Sequence, residues 1–417
     1  MPRYRYVVLG SGRQGTAAAY DLALRGDARE ITLADASAER AREAATWIQS
    51  RLPREKSDVV ITPTTLDGAN HGAVLELLRG ADAAVSALPY RYNLAVTRLA
   101  IEAGCNLCDL GGHPETTSAQ LRLSDAALGA GVSVVPDCGQ APGMATSLMA
   151  LALAMVPAPE NLEVWDGGLP LDPAPPLFYR LTFAIQGLTN EYDGPCYNLR
   201  GGKVVSLESL SEAQTVDFPP PLGQLEAFCA SGTSSTFPWT YQGKLERFTS
   251  RIVRYPGHLA AIRTLKALGF FSEIPLAVDG CRVTPRRLTE TLLEPLLVGD
   301  TPIHDVVIVR VHCTGRANGR SIRAEVDTLI YHDAGTGLTA MQRCTGFDAA
   351  IVAAMMARSE VTKGVAVREL SVDPERYVAE LSRRGMEVTR NITELSAGPA
   401  SKPRRPAGRK GRPPRSP

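Results

Sequence analysis

The stretch that decides the fold of this chain is Tyr-Val-Val-Leu-Gly-Ser-Gly-Arg-Gln-Gly, residues 6–15. An apolar run breaks into three glycines with the spacing GxGxxG, and an Ala-rich segment that favours a helix follows. In this pattern the first glycine permits a tight turn, the second lets backbone N–H groups approach a pyrophosphate, and the third lets the helix pack on the strand. We therefore predict a nucleotide-binding strand, turn and helix. The loop residues expected beside the cofactor are Gly10, Gly12, Arg13, Gln14 and Gly15.

A second predicted strand, residues 30–33, leads directly to Asp35. An acidic residue about 20 positions beyond the glycine loop is placed to accept hydrogen bonds from the hydroxyl groups of an adenosine ribose. A carboxylate there favours NAD over NADP, whose ribose carries a phosphate. NAD is therefore the expected cofactor.

Strand-like and helix-like segments alternate as far as residue 136, as in consecutive βαβ units. The predicted strands are residues 6–9, 30–33, 58–61, 81–86, 106–110 and 132–135. Six strands with helical crossovers form a doubly wound parallel sheet, in which the ligand lies beyond the carboxyl ends of the strands. The small and apolar loop after the fourth strand would receive the nicotinamide ring on Ser86, Ala87 and Leu88. Asp109, also expected at the cofactor, and His113 add titratable groups after the fifth strand.

The pattern changes after residue 141, where strand-like runs with few crossover helices continue to about residue 341. Such runs predict an α+β substrate domain with a mostly antiparallel sheet, inserted into the α/β fold. Residues 161–167, 179–185, 203–207, 306–313 and 322–331 are among the expected strands. The predicted division is residues 1–140 for cofactor binding, 141–341 for the substrate and oligomer contacts, 342–395 for helices that return to the first sheet, and 396–417 for a disordered tail.

Composition excludes several classes of protein. Hydrophobic residues make up 44% and charged residues 21% of the 417 residues, as in ordinary globular proteins. No apolar run is long enough to span a membrane, and the first strand begins too early for a signal peptide, so a cytoplasmic protein is expected. The eight cysteines are scattered, which predicts free thiols and no metal site.

Residues 401–417 contain seven basic side chains and no acidic one. Removing those seven charges from the net charge of +1 leaves −6 for the rest of the chain. Residues 408–413 are faintly similar to a minor-groove-binding AT-hook. Binding of nucleic acid is not expected, although the role of this tail stays open.

Four further motifs stand out: Val-Pro-Asp-Cys-Gly-Gln-Ala-Pro-Gly-Met at 135–144, Asp-Leu-Gly-Gly-His at 109–113, Leu-Glu-Ala-Phe at 225–228 and Arg-Tyr-Pro-Gly-His at 254–258. Taken together, they resemble the saccharopine dehydrogenase-like superfamily, and within it the lysine 6-dehydrogenases. The resemblance covers residues 5–390. It implies a Rossmann domain, NAD, a homodimer or higher homo-oligomer, and oxidation of the ε-amine of L-lysine to the semialdehyde of 2-aminoadipate. That product cyclises to a piperideine carboxylate, and ammonia is released.

The implied reaction needs a general base, because the ammonium group of lysine, with a pKa of about 10.4, must lose a proton before hydride can leave its carbon. The candidates for that base are His113, Asp137, Glu226 and His258. Arg254 or Arg310 would suit the substrate carboxylate through bidentate pairing, and Tyr90 would form a wall of the pocket.

Two residues depart from the expected motif. Cys138 and Gln140 stand where the lysine enzymes are expected to have more aliphatic residues, so a different substrate stays open. The alternatives are saccharopine, which needs additional basic residues for its carboxylates, another amino acid or amine, and a dinucleotide-binding regulatory protein without enzymatic activity.

Overall fold

The structure is a computed structural model that describes residues 3–299 and 301–395. The strands are β1 (Tyr4–Leu9), β2 (Ala28–Asp35), β3 (Val60–Thr65), β4 (Ala83–Ser86), β5 (Asn106–Asp109), β6 (Ser133–Val135), β7 (Ala158–Pro170), β8 (Pro195–Arg200), β9 (Lys203–Glu208), β10 (Gln214–Asp217), β11 (Gln224–Phe228), β12 (Arg247–Arg254), β13 (Leu276–Val278), β14 (Cys281–Val283), β15 (Asp305–Ala317), β16 (Arg320–Tyr331), β17 (Gly364–Val365) and β18 (Thr389–Glu394).

The α-helices are α1 (Arg13–Arg25), α2 (Ala38–Gln49), α3 (His71–Leu78), α4 (Asn93–Ala103), α5 (Pro114–Leu121), α6 (Ser124–Gly129), α7 (Met144–Ala154), α8 (Ile185–Glu191), α9 (Phe237–Thr240), α10 (His258–Ala267), α11 (Pro285–Val298), α12 (Ala340–Ala357), α13 (Arg368–Ser371) and α14 (Pro374–Ser382).

The first sheet is parallel throughout, in the order β17-β6-β5-β4-β1-β2-β3. Its central strands are buried on both faces, which explains why their sequences are continuous apolar runs. All six predicted strands are present. The seventh, β17, comes from the C-terminal part of the chain and was not predicted, because two residues are too few to produce a recognisable alternation.

The second sheet has the path β10-β11-β12-β7-β15-β16-β18, with β8 pairing both β12 and β9. Its pairs are antiparallel except for β7 and β12, so the predicted class, an α/β Rossmann fold with a second and mostly antiparallel sheet, is confirmed. The strand predicted at residues 179–185 is wrong. The backbone of Leu181 does not pair with a strand: its N–H donates to the carbonyl of Leu297, and its carbonyl accepts from the guanidinium group of Arg13.

Helices α7 and α12 are almost completely buried: α12 lies between β4 and β5 of the first sheet and β15 and β16 of the second, and α7 packs on α12 and on β7, β15 and β16. This burial explains the strongly apolar sequence of residues 347–357. Helix α12 contacts α1 very closely. A Cβ atom on Gly346 would lie only 2.6 Å from the Cβ of Ala17. The chain therefore returns from the second sheet to pack directly on the helix that follows the glycine loop.

Among the described residues, no helix combines the length and apolar character needed to cross a membrane. The tail predicted to be disordered, residues 396–417, lies outside the described residues.

Candidate active site

The three glycines of the first loop have different surroundings. A Cβ on Gly15 would lie 1.8 Å from the carbonyl oxygen of Gly10, and a Cβ on Gly10 would lie 2.8 Å from that of Ala87. A Cβ on Gly12 would meet nothing within 4 Å. Gly12 also precedes α1 without any side-chain cap, so the first N–H groups of the helix face open space. This is the arrangement that a diphosphate requires.

Asp35 lies at the end of β2 beside this loop. Its two carboxylate oxygens accept hydrogen bonds from the backbone N–H groups of Ser11 and Ser37, each at 2.9 Å. Burial would raise the pKa of Asp35, but these hydrogen bonds and the nearby Arg40 hold it below its usual value. The carboxylate is therefore charged, and its remaining lone pairs can accept hydrogen bonds from ribose hydroxyl groups. A cavity of about 470 Å³ lies alongside, lined in part by Gly12 and Arg40.

The loop after β4 closes the other side of the glycine turn. Ala87 presents its carbonyl to Gly10, and the side chain of Leu88 faces Gly68. The Ser86 hydroxyl is buried and donates to Asn93 at 3.1 Å. Further along, Tyr90 stacks on His113 with ring centroids 4.3 Å apart and planes 5° from parallel, which brings the ends of β4 and β5 together.

Two carboxyl groups are buried at the ends of β5 and β6. Asp109 accepts a 2.6 Å hydrogen bond from Gln120, and burial together with the nearby charge of Asp137 raises its pKa to about 7. Burial also raises the pKa of Asp137, which accepts hydrogen bonds from Thr117 and Ser235. Ser235 follows β11, in the part of the chain that forms the second sheet, which we call the second unit. Asp137 therefore connects the carboxyl ends of the first sheet to the second unit, and we call the region where they meet the crevice.

A second acidic cluster comes from the other sheet. Asp166 in β7 is only 3% exposed, and burial and the charge of Glu191 raise its pKa to about 7 although Arg254 and Gln140 oppose the shift. Glu191 pairs with Arg254 at 2.6 Å. Arg254 thus pairs directly with Glu191 and acts on Asp166 through its charge, and the cluster of these three residues is net negative whenever both carboxyl groups are ionised.

His258 is fixed by a directed chain of hydrogen bonds. Its Nδ1 lies 2.7 Å from the carbonyl of Leu177, so Nδ1 carries the proton, and Nε2 accepts from the hydroxyl of Tyr192 at 2.8 Å. That hydroxyl accepts in turn from Nε of Arg254 at 3.2 Å. Burial, reinforced by the charge of Arg254, lowers the pKa of His258 to about 3. His258 is therefore neutral and holds Arg254 in place.

Oε1 of Gln14 is buried and has no hydrogen-bond partner among the described residues. The amide nitrogen of the same side chain donates to the carbonyl of Thr182 at 3.3 Å. The side chain of Gln140 lies close enough to Asp166 to oppose the rise in the pKa of that carboxyl group. Buried polar groups are rarely left without partners, so Oε1 of Gln14 indicates a place for the polar group of a ligand.

Glu226 and Arg310 do not join the acidic cluster, although Glu226 lies directly opposite Arg254 in the pairing of β11 with β12. Glu226 caps the N-terminus of α10, accepting hydrogen bonds from the N–H groups of Gly257 and Leu259. Arg310 pairs with Asp327 and covers Phe218, on the face of the second sheet opposite to that packed on α7 and α12.

Asp166, Glu191 and Thr182 were not among the predicted site residues. The sequence did contain a signal for Asp166. Leu162, Val164 and Asp166 alternate along β7 and therefore share its buried face, where a charged residue is unusual among apolar ones. Glu191 and Thr182 lie in a short helix and an irregular segment, which carry no such pattern.

Two family models match the chain: "Saccharopine dehydrogenase NADP binding domain" over residues 6–135 and "Saccharopine dehydrogenase C-terminal domain" over residues 139–386. The first match and the geometry of the glycine loop support a nicotinamide dinucleotide as cofactor.

Among solved structures, the L-Glu-forming saccharopine dehydrogenase of Saccharomyces cerevisiae matches with a TM-score of 0.74 and 18% identity, covering 94% of this chain and 100% of that one. This similarity extends over both units and shows the shared fold. More distant matches are a myo-inositol dehydrogenase of Corynebacterium glutamicum (TM-score 0.41, 12% identity, 95% and 100% of the two chains) and a probable dehydrogenase of Thermotoga maritima (0.41, 12%, 94% and 98%).

Proposed function

The chain belongs to the saccharopine dehydrogenase family of oxidoreductases, and from this premise we propose that it catalyses the NAD-dependent oxidation of the ε-amine of L-lysine. L-lysine, NAD⁺ and water yield 2-aminoadipate 6-semialdehyde, ammonia, NADH and a proton. The semialdehyde then cyclises to the piperideine carboxylate.

The observation that carries the proposal is the charge of the buried cluster formed by Asp166, Glu191 and Arg254. When both carboxyl groups are ionised, two carboxylates and one guanidinium give a net charge of −1, which complements L-lysine with its two ammonium groups and one carboxylate. Saccharopine carries three carboxylates and would require additional cations at this place. Because charges in a buried site interact strongly, this difference favours the cationic substrate.

Asp166 is the proposed general base. With its pKa raised to about 7, a substantial fraction is ionised near neutral pH and can accept a proton from the substrate ammonium. NAD, when bound, supplies the acceptor for the hydride. The chain's own contribution is to hold the amine in a buried site that excludes water, where Glu191 and Oε1 of Gln14 can orient it.

The proposed preference for NAD over NADP rests on Asp35. Its carboxylate is held at the end of β2 by two backbone N–H groups, and there it would repel the phosphate on the ribose of NADP. Arg40 lies 3.6 Å from the same carboxylate and reduces this repulsion in part. A direct comparison of the two cofactors therefore belongs to the test.

The test is a panel of substrates with the purified full-length chain, followed by NADH absorbance and ammonia release. L-lysine with NAD is expected to give both products in equal amounts, whereas L-norleucine, which lacks only the ε-amine, is expected to give neither. Absence of turnover with L-lysine would overturn the proposal. Turnover with saccharopine would support the second candidate, saccharopine dehydrogenase, which the family match itself favours.

A pair of variants on one strand tests the role of the acidic cluster. Asp166→Asn is expected to abolish most turnover while NADH still binds. Glu163→Gln is the matched control, because Glu163 lies three residues away on β7, on the opposite face, where it pairs with Arg251. Equal losses in the two variants would show that Asp166 has no special role.

A further inference from the structure

Two thiol groups meet at one edge of strand β12 in the second sheet. Strands β8 and β11 both pair antiparallel with the edge of β12 that β7 leaves free, and they approach each other from its two ends. Cys196 lies in β8, and Cys229 directly follows β11. Continued along β12, each register brings its cysteine to Arg251. The thiol of Cys196 donates a hydrogen bond to the sulfur of Cys229, and we call this pair the 196/229 dithiol.

The sulfur of Cys229 lies among groups that stabilise a thiolate. Besides the hydrogen bond from Cys196, it accepts one from the side-chain amide of Asn198 at 3.7 Å. The hydrogen bond from Cys196 lowers the pKa of Cys229. The charge of the buried Arg251 lowers this pKa further, whereas burial and the carboxylate of Glu212 oppose the shift. The hydrogen bond to Cys229 and burial raise the pKa of Cys196. Cys229 is therefore the nucleophile of the pair, and Cys196 retains its proton.

A second pair of thiols, Cys108 and Cys138, has the opposite surroundings. Cys108 donates to the carbonyl of Ala349 and Cys138 to that of Val135, each at 3.4 Å. A backbone carbonyl accepts from a thiol but repels a thiolate. Burial and the hydrogen bond with Cys108 raise the pKa of Cys138 well above its usual value, although the charge of Arg368 opposes the shift. The chain thus contains a comparison pair, in which two thiols are in contact without the groups that stabilise a thiolate.

The 196/229 dithiol lies directly beneath the protein surface. The sulfur of Cys229 is 3.9 Å from Oε2 of Glu212, and the side chain of Glu212 is 31% exposed. A small oxidant such as hydrogen peroxide needs to pass only this side chain. Cys108 and Cys138, by contrast, belong to the main hydrophobic core. Access and thiolate character therefore both favour reaction at the 196/229 dithiol.

We propose that the 196/229 dithiol is a redox modification site, which hydroperoxides convert to a disulfide and small thiols reduce again. All eight cysteines of the structure have free thiols. The disulfide is therefore a reversible modification of the folded chain and not part of its scaffold.

The oxidation takes place in two steps. The thiolate of Cys229 attacks one oxygen of the hydroperoxide, and the O–O bond breaks. Cys229 becomes a sulfenic acid, while the departing oxygen takes up a proton and leaves as water or an alcohol. The sulfur of Cys196 then attacks that of Cys229, the S–S bond forms, and the hydroxyl group leaves as water with the proton of Cys196. The two sulfur atoms together lose the two electrons that reduce the O–O bond. Two molecules of a small thiol restore both cysteines by thiol–disulfide exchange.

Treatment of the reduced, full-length chain with hydrogen peroxide tests the proposal. At intervals the remaining thiols are blocked with N-ethylmaleimide in urea, and the digested protein is analysed by mass spectrometry. Peptides joined through Cys196 and Cys229 are expected to form at least roughly 10-fold faster than Cys108 or Cys138 is oxidised. Dithiothreitol is expected to remove the cross-link. The same treatment in urea, where the fold no longer holds the two thiols together, is expected to abolish this selectivity.

Two serine variants assign the roles within the pair. In Cys196→Ser, a sulfenic acid is expected to persist on Cys229 and to be trapped by dimedone, whereas Cys229→Ser is expected to leave Cys196 unoxidised at the same peroxide concentration. Cys108→Ser is the matched control, because it removes a thiol from the comparison pair and should leave the cross-link unchanged. NADH binding by each variant checks the fold. Thiols of Cys196 and Cys229 that stay free, a disulfide between other cysteines in their place, equal oxidation of the two pairs, or dimedone on Cys196 but not on Cys229 would each overturn the proposal.

Discussion

Replacing Gly12 by alanine separates the cofactor-binding role of the glycine loop from its role in folding. The new methyl group would meet no protein atom within 4 Å, and Gly12 has an ordinary φ of −69°. Alanine restricts the unfolded chain, which stabilises the fold, but it is a poorer residue than glycine at a helix N-cap. These effects oppose each other, so the free energy of unfolding is expected to stay within about 1 kcal/mol of the original value.

Cofactor binding responds differently, because the methyl group occupies the open space in front of the first N–H groups of α1. Loss of one hydrogen bond to a charged phosphate costs about 1.5–3 kcal/mol. The dissociation constant for NADH is therefore expected to rise roughly 10- to 100-fold.

Fluorescence titration with NADH and urea unfolding measure the two effects separately. Gly129→Ala is the control, since a Cβ there also meets nothing within 4 Å but lies in α6, away from the loop. Gly15→Ala is the opposite case. Its Cβ would overlap the carbonyl of Gly10 at 1.8 Å, and it should destabilise the fold itself. Unchanged NADH affinity in Gly12→Ala, or normal stability in Gly15→Ala, would refute this account of the loop.

Three further variants test single carboxyl groups. Asp35→Asn removes the charge proposed to lie beside the ribose and should reduce the preference for NAD over NADP at least roughly 10-fold, measured as the ratio of kcat/KM values for the two cofactors. An unchanged ratio would show that Asp35 does not select between them. In the unmodified protein, kcat/KM should fall as the pH drops through about 7, because Asp166 is then protonated and cannot accept the substrate proton. Asp166→Asn should lower kcat/KM by roughly 10²- to 10⁴-fold, and the variant should lose this dependence on pH. Asp109 has a pKa of about 7 in the folded state and 3.8 in the unfolded state, so its contribution to the free energy of unfolding is full below pH 4 and is lost as the pH rises to 7. That loss is up to roughly 4 kcal/mol. Urea unfolding of Asp109→Asn at several pH values should therefore show a smaller decline in the free energy of unfolding than the original protein shows.

The cofactor half of the molecule could be predicted from the sequence because its signals are local. The glycine spacing, the buried apolar strands and Asp35 all lie within 35 residues, and each is determined by backbone geometry that neighbouring residues impose. Strand β17 could not be found in this way, since it is defined only by its pairing with β6, far away in the chain.

The acidic cluster that is proposed to bind the substrate depends on contacts between distant segments. Asp166, Glu191 and Arg254 come from a strand, a short helix and another strand, and no spacing in the sequence shows that they meet. The conspicuous motif around Glu226 illustrates the opposite difficulty. Its carboxylate caps the N-terminus of α10, which is a local structural role. The sequence alone does not distinguish such a role from a catalytic one.

The central claim is that hydride leaves the ε-carbon of L-lysine, and isotopic labelling tests it most directly. L-lysine carrying deuterium at C6 and L-lysine carrying deuterium at C2 are each incubated with NAD and the full-length chain, and the NADH is analysed by mass spectrometry. Deuterated NADH is expected from the C6-labelled substrate and unlabelled NADH from the C2-labelled one. Deuterium transferred from C2, or no NADH from either substrate, would contradict it.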